Sequence, residues 1–125
     1  MSGKFALVIE DDRDEAHLFA RAVEMAEFDV EVVYSGDTAL ARLAAAVPDL
    51  VVLDLHIPRT SGTQILHHIR GNARLQRTRV IVVTGDPQTA ERIRDEADLV
   101  LIKPVGFDQL RNLAERVTST ASSSE

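Results

Sequence analysis

The sequence predicts a single α/β domain of 125 residues: an open, doubly wound sheet of five parallel strands with helices on both faces. Three observations carry this. Five short apolar runs recur along the chain, most of them continuous, and such strands are buried on both sides, as in parallel sheets. Each run is followed by apolar residues at helical spacing, so strand and helix alternate five times. Right-handed crossovers then leave few arrangements other than an open doubly wound sheet.

The elements follow in order. Phe5-Ala6-Leu7-Val8-Ile9 is a buried strand that ends in acid. Phe19, Ala22, Val23 and Ala26 mark one face of a helix over 13–27, with Asp12 and Glu15 as a capping pair at its start. Val30, Val32 and Val33 form a weaker strand at a sheet edge. Leu40, Leu43, Ala44 and Val47 repeat the helical spacing until Pro48 stops it. Leu50-Val51-Val52-Leu53 is the third strand and ends in Asp54. Ser61-Gly62-Thr63-Gln64 is a capping box that opens a helix carrying Ile65, Leu66 and Ile69. Val80-Ile81-Val82-Val83 is the fourth strand and ends at Thr84-Gly85. Asp86 and Pro87 suit the N-cap and first position of a short helix with Ala90, Ile93 and Ala97 inward. Leu99 to Ile102 is the last strand, followed by Lys103-Pro104 and a helix with Leu110, Leu113, Ala114 and Val117. The domain is assigned to residues 1–117. Residues 118–125, mostly Ser and Thr, are expected to form a disordered tail.

Composition excludes several classes. Lys and Arg total 14 and Asp and Glu total 20, a net charge of −6, which argues against nucleic acid as the ligand. No cysteine is present, so disulfides and thiolate zinc sites are ruled out. No apolar run is long enough for a membrane span or a secretory signal, and a cytoplasmic protein is expected. The histidines, His17, His56, His67 and His68, include no His-x-x-x-His pair, so zinc is disfavoured. Arg70, Arg74, Arg77 and Arg79 form a basic cluster, read as solvated surface before any contact with an acidic partner.

In an open parallel sheet, ligands bind beyond the carboxyl ends of the strands. Those ends carry Glu10-Asp11-Asp12, Asp54, Thr84 and Lys103. Carboxylates brought together repel and call for a cation, and an all-oxygen set suits Mg²⁺ or Mn²⁺. A lysine and a hydroxyl opposite that metal complete an electrophilic clamp around a phosphoryl group. The carboxylate inside the clamp is then a candidate nucleophile that forms an aspartyl phosphate. Taken singly, each residue has a plainer reading. Asp12 is assigned to helix capping, Asp54 alone would be a turn residue, and Thr84 alone would bond nearby backbone.

Together these pieces resemble the response-regulator receiver domains of two-component signalling, which share the flavodoxin-like fold of the chemotaxis regulator. The matching pieces are Val8-Ile9-Glu10-Asp11-Asp12, Pro48-Asp49-Leu50-Val51-Val52-Leu53-Asp54, Pro58 and Gly62, Val83-Thr84-Gly85, and Lys103-Pro104. The resemblance spans Lys4 to Val117, nearly the whole chain. It implies strand order 2-1-3-4-5. It also implies that Asp54 is the phosphoacceptor, that Asp11 and Asp54 bind Mg²⁺ directly, that Glu10 binds it through water, and that the His56 backbone carbonyl is a further ligand. Thr84 and Lys103 would each hold a phosphoryl oxygen, and the Lys103–Pro104 bond would be cis. The implied donor is a sensor histidine kinase or a histidine phosphotransfer protein, and the implied output is a change at the face formed by the fourth helix, fifth strand and fifth helix. The resemblance further implies a signalling phosphoacceptor that catalyses only its own phosphorylation and dephosphorylation. A standalone receiver, monomeric or weakly dimeric, is expected.

The chain departs from the family at three points. His56 lies two residues past the acceptor, where side chains influence the hydrolytic water. Val100 stands where many members carry Tyr or Phe. The interval between Thr84 and Lys103 is a few residues short, which predicts a short fourth helix. Three rival readings fit the sequence less well. A nucleotide or flavin binder needs a Gly- or Ser/Thr-rich loop where Glu10-Asp11-Asp12 stands. A phosphohydrolase of the haloacid-dehalogenase type would carry an Asp where His56 stands. A non-phosphorylated interaction module would have no need of Asp54, Thr84 and Lys103.

Overall fold

The computed structural model describes residues 3–57 and 60–123; of residues 118–123 the backbone alone is described. The elements alternate as β1 (Phe5–Ile9), α1 (Arg13–Met25), β2 (Asp29–Val33), α2 (Gly36–Ala45), β3 (Leu50–Asp54), α3 (Gly62–Arg70), β4 (Arg79–Thr84), α4 (Pro87–Ile93), β5 (Leu99–Ile102) and α5 (Phe107–Ser123), with a short 3-10 turn at Ala73–Leu75. All pairings are parallel, and the strand order is β2-β1-β3-β4-β5, the expected doubly wound, flavodoxin-like arrangement.

Side chains alternate across a strand, so one continuous apolar run feeds two cores. Leu7, Ile9, Val51, Leu53, Val80 and Val82 pack toward α2 and α3. Ala6, Val8, Leu50, Val52, Ile81 and Val83 pack toward α1 and α5. Edge strand β2 is only half-buried, which is why its apolar pattern is the weakest. Among the described residues, no helix is long and apolar enough to cross a membrane.

Helix ends follow local chemistry. Asp12, Ser35, Ser61 and Asp86 each accept a backbone N–H at the start of a helix. Ser61 and Gln64 form the full reciprocal capping box. The Asp12–Glu15 pair does not: Asp12 accepts the Glu15 N–H, but the Glu15 side chain turns elsewhere. Val47, expected on the inner face of α2, lies past its end and is exposed. Pro48 is the reason, because the residue before a proline is pushed toward extended backbone. Helix α4 is short, as the interval predicts, and Ala97 packs against the core from beyond its end. The α5 backbone continues to Ser123, beyond the Val117 boundary drawn from the sequence; 118–123 contains no Gly or Pro to stop it. Residues 124–125 of the expected tail, and Pro58, lie outside the described residues.

The basic cluster lies at the surface, and most of it is bonded within the fold. Arg70 donates to the Glu96 carbonyl at 2.5 Å, the Thr78 carbonyl at 3.1 Å and the Asp98 carboxylate at 2.8 Å. Arg79 reaches the same carboxylate at 3.0 Å, and Asp98 also accepts the Val80 N–H at 2.7 Å. Arg74 donates to the Leu43 and Ala46 carbonyls at the end of α2. Arg70 therefore ties α3 to the starts of β4 and β5, Arg79 ties β4 to the start of β5, and Arg74 ties the 3-10 turn to the end of α2, roles that residue order alone does not show.

Candidate functional site

Parallel strands bring all their carboxyl ends to one edge of the sheet. Register does the rest: Ile9 pairs with Leu53, Asp54 with Val83, and Thr84 with Ile102. Glu10 therefore follows β1 next to Asp54, and Lys103 follows β5 one residue past Ile102. Glu10, Asp54 and Thr84 are buried, at 1%, 2% and 0% exposure, and Asp11 is exposed.

The carboxylates of Glu10, Asp11 and Asp54 offer oxygens that all lie within 4.8 Å of one another. Glu10 accepts the Asp12 N–H through Oε2 at 3.2 Å, and its Oε1 is buried without a hydrogen-bond partner. Burial, reinforced by the neighbouring Asp54 carboxylate, pushes the Glu10 carboxyl up to about 9; the Asp12 N–H and Lys103 pull the other way. A crowded, oxygen-only, partly unsatisfied set of this kind fits a hard divalent cation.

Lys103 Nζ faces three carboxylates: Glu15 at 2.8 Å, Asp54 at 3.3 Å and Glu10 at 3.8 Å. Burial alone would lower its pKa. The Glu15 hydrogen bond and the charges of Asp54, Glu10 and Glu15 outweigh that and hold it above the ordinary lysine value. The Lys103–Pro104 peptide is cis, as the resemblance implied. An open groove of about 350 Å³ runs beside the ammonium, lined by Glu15, Leu18, Phe19, Lys103, Pro104 and Val105.

The loop after β3 is held from both sides. The His56 N–H donates to Asp54 Oδ1 at 3.0 Å. Gly62 seats the start of α3 so closely that a Cβ there would clash with the backbone of Asp54 and Leu55. Gly36 lies equally close to Thr60, whose hydroxyl donates to Asp37 at 3.0 Å. On the far side of Asp54, Thr84 Oγ1 accepts the Asp86 N–H at 3.1 Å and lies 3.0 Å from His56 Nε2.

The structure thus brings Glu10, Asp11, Asp54 and Lys103 together, with Thr84 and His56 joined to one another beside them. Asp12 caps α1, as assigned. Sequence reasoning missed two contacts. Glu15 was read as half of a capping pair and instead holds Lys103. The His56 ring was expected near the water path, and its bond to Thr84 was not foreseen. The strand order offered a signal for the second, because β3 and β4 are neighbours, His56 lies two residues past β3 and Thr84 ends β4.

The comparisons with known proteins agree with this geometry. Residues 6–115 match the model of the response regulator receiver domain. The response regulator ArlR of Staphylococcus saprophyticus is 29% identical over 107 residues, covering 83% of this chain and 47% of the relative. The probable methanogenesis regulatory protein FilR2 of Methanothrix harundinacea is 30% identical over 122 residues, covering 89% of this chain and 79% of that protein. The chain spans about half the length of several of the curated relatives it matches, at 46–47% of each. Among solved structures, a CheY-like receiver domain from Methylobacillus flagellatus superposes with a TM-score of 0.81 at 26% identity, covering 91% of this chain and 98% of that one. The response regulator TrrA of Thermotoga maritima, solved in complex with Mg²⁺ and BeF, has the same fold, with a TM-score of 0.81 at 23% identity over 91% of this chain and 98% of that one. With its strand order, its acidic edge and these matches taken together, the chain belongs to the response-regulator receiver domain family of two-component signalling.

Proposed function

We propose that Asp54 accepts a phosphoryl group from a phosphohistidine on a sensor histidine kinase or a histidine phosphotransfer protein. The carrying observation is a buried Asp54 carboxylate grouped with two further carboxylates and with the Lys103 ammonium at 3.3 Å. An Asp54 carboxylate oxygen attacks phosphorus, an O–P bond forms, and the P–N bond to the donor imidazole breaks. Lys103 offsets charge on a phosphoryl oxygen, and the Thr84 hydroxyl donates to another once the group is in place. Mg²⁺ or Mn²⁺ would be held by Asp11, Asp54 and the His56 carbonyl, with Glu10 contributing through water. When bound there, such a cation would supply Lewis-acid neutralisation of the phosphoryl oxygens.

In this reading the chain is a signalling phosphoacceptor, transforming no substrate beyond its own acyl phosphate. The output is read at the face of α4, β5 and α5, where Ile102 stands exposed. Val100 is partly buried against the core and is too small to act as a surface aromatic switch, so activation is expected to shift the start of α4. Acetyl phosphate with Mg²⁺ is expected to add one phosphoryl group by intact-mass spectrometry, and chelation is expected to prevent it. An unchanged mass with ample reagent would sink the reading.

The acidic run can be apportioned by titration calorimetry. Asp11→Ala is expected to lower Mg²⁺ affinity by about tenfold or more, as loss of a direct ligand should. Asp12→Ala is expected to leave affinity near wild type and to cost about 1 kcal/mol of stability through the lost N-cap. Equal losses of affinity in the two variants would mean the ligand assignment is wrong.

A further inference from the structure

We infer that the His56 imidazole is a latch: it holds the Thr84 hydroxyl in its unphosphorylated position, so that His56 is a positioning residue that restrains activation. The inference rests on the phosphoacceptor reading and adds to it what sets the resting balance. It concerns the ring of His56, not its backbone carbonyl.

The Thr84 hydroxyl has one proton and two lone pairs. One lone pair takes the Asp86 N–H at 3.1 Å. The His56 ring nitrogen at 3.0 Å takes part of what remains. If the ring nitrogen accepts, it occupies the only proton that the hydroxyl could donate to a phosphoryl oxygen. If the ring donates, the hydroxyl is held by two donors at once. In either tautomer, movement of Thr84 toward a phosphoryl group on Asp54 gives up the ring contact. The movement also strains the Asp86 N–H bond, and Asp86 is the N-cap of α4, accepting from Gln88 N–H and the Thr89 hydroxyl. Gly85 between them meets nothing within 4 Å of where a Cβ would be, so the joint has room to move.

His56 itself is well placed to act as a fixed post. Its own N–H is tied to Asp54, and Ile57 after it is buried, so the ring projects from a held backbone. The bond therefore joins the β3 loop to the β4 end in the resting state and is lost in the active one. A contact present in only one of two states biases their ratio by its own free energy. For one hydrogen bond at a partly exposed site that is about two- to tenfold.

The test uses beryllofluoride with Mg²⁺ as a phosphoryl mimic, followed by amide chemical shifts. His56→Ala is expected to bind the mimic about two- to tenfold more tightly than wild type. Before any mimic is added, its Thr84 and Asp86 resonances should already lie part of the way toward the saturated positions. His56→Gln places an amide nitrogen at the same remove from Cα as Nε2, and it should restore both readouts toward wild type. A general loosening of the loop would not be repaired by that substitution. Affinity unchanged or lowered in His56→Ala, or equal behaviour of the Ala and Gln variants, overturns the latch while leaving the phosphoacceptor reading intact. A wild type that ignores beryllofluoride overturns both.

Discussion

Asp54→Asn is expected to abolish phosphoryl addition while leaving the metal-free fold at least as stable as wild type. The two effects share one cause. The carboxylate is 2% exposed and sits beside Glu10, a second buried carboxyl whose ionisation it opposes. An amide of the same shape can still accept the His56 N–H and face Lys103. Lys103 keeps Glu15 at 2.8 Å, so its charge stays paired. What is lost is the anionic oxygen proposed to attack phosphorus, and with it one of the carboxylates proposed to hold the metal. Intact mass after acetyl phosphate should therefore stay at the unmodified value. Thermal melting in chelator should match or exceed wild type, and added Mg²⁺ should raise the midpoint less than it does for wild type. Retained phosphoryl addition would place the acceptor elsewhere. A melting temperature lowered by more than about 4 °C, on the order of 1 kcal/mol for a chain of this size, would mean that Asp54 is a structural ion-pair partner first.

Most of the fold was legible because burial on both faces of a sheet leaves an unbroken apolar run, and this chain has such runs at β1, β3 and β4. The site was legible for a related reason: a parallel sheet puts the residues after those runs on one edge, so Glu10, Asp54, Thr84 and Lys103 needed no long-range information beyond topology. What stayed hidden depends on side-chain direction. Glu15 satisfies a capping pattern by spacing, yet it points to Lys103 because α1 and the β5–α5 connection lie on the same side of the sheet. Arg70 and Arg79 look like surface charge until Asp98 is seen between them. Val47 keeps the helical period but loses the helix to the proline behind it. The His56–Thr84 bond needs both the strand order and a rotamer, and only the first of these follows from the chain.

Glu10 leads to the second large effect, a stability that falls with rising pH until metal is supplied. In the folded, metal-free protein its carboxyl is pushed up from 4.5 to about 9, first by burial and then by Asp54. Between those limits the native state keeps a proton that the unfolded chain has released. Stability then declines as pH rises, with a slope approaching about 1.4 kcal/mol per pH unit for one fully linked proton. Other groups add their own terms, so the contribution of Glu10 is isolated by comparison with Glu10→Gln, which is neutral at every pH. Thermal melting in chelator from about pH 5 to pH 9 should show wild type falling more steeply than the variant. Cation binding draws on the ionised carboxylates, so the affinity of wild type for Mg²⁺ should rise across the same window. Saturating Mg²⁺ should accordingly flatten the wild-type profile. Parallel profiles for wild type and Glu10→Gln in chelator would mean that Glu10 is already ionised in the resting protein, with Lys103 rather than a proton as its partner across the 3.8 Å gap.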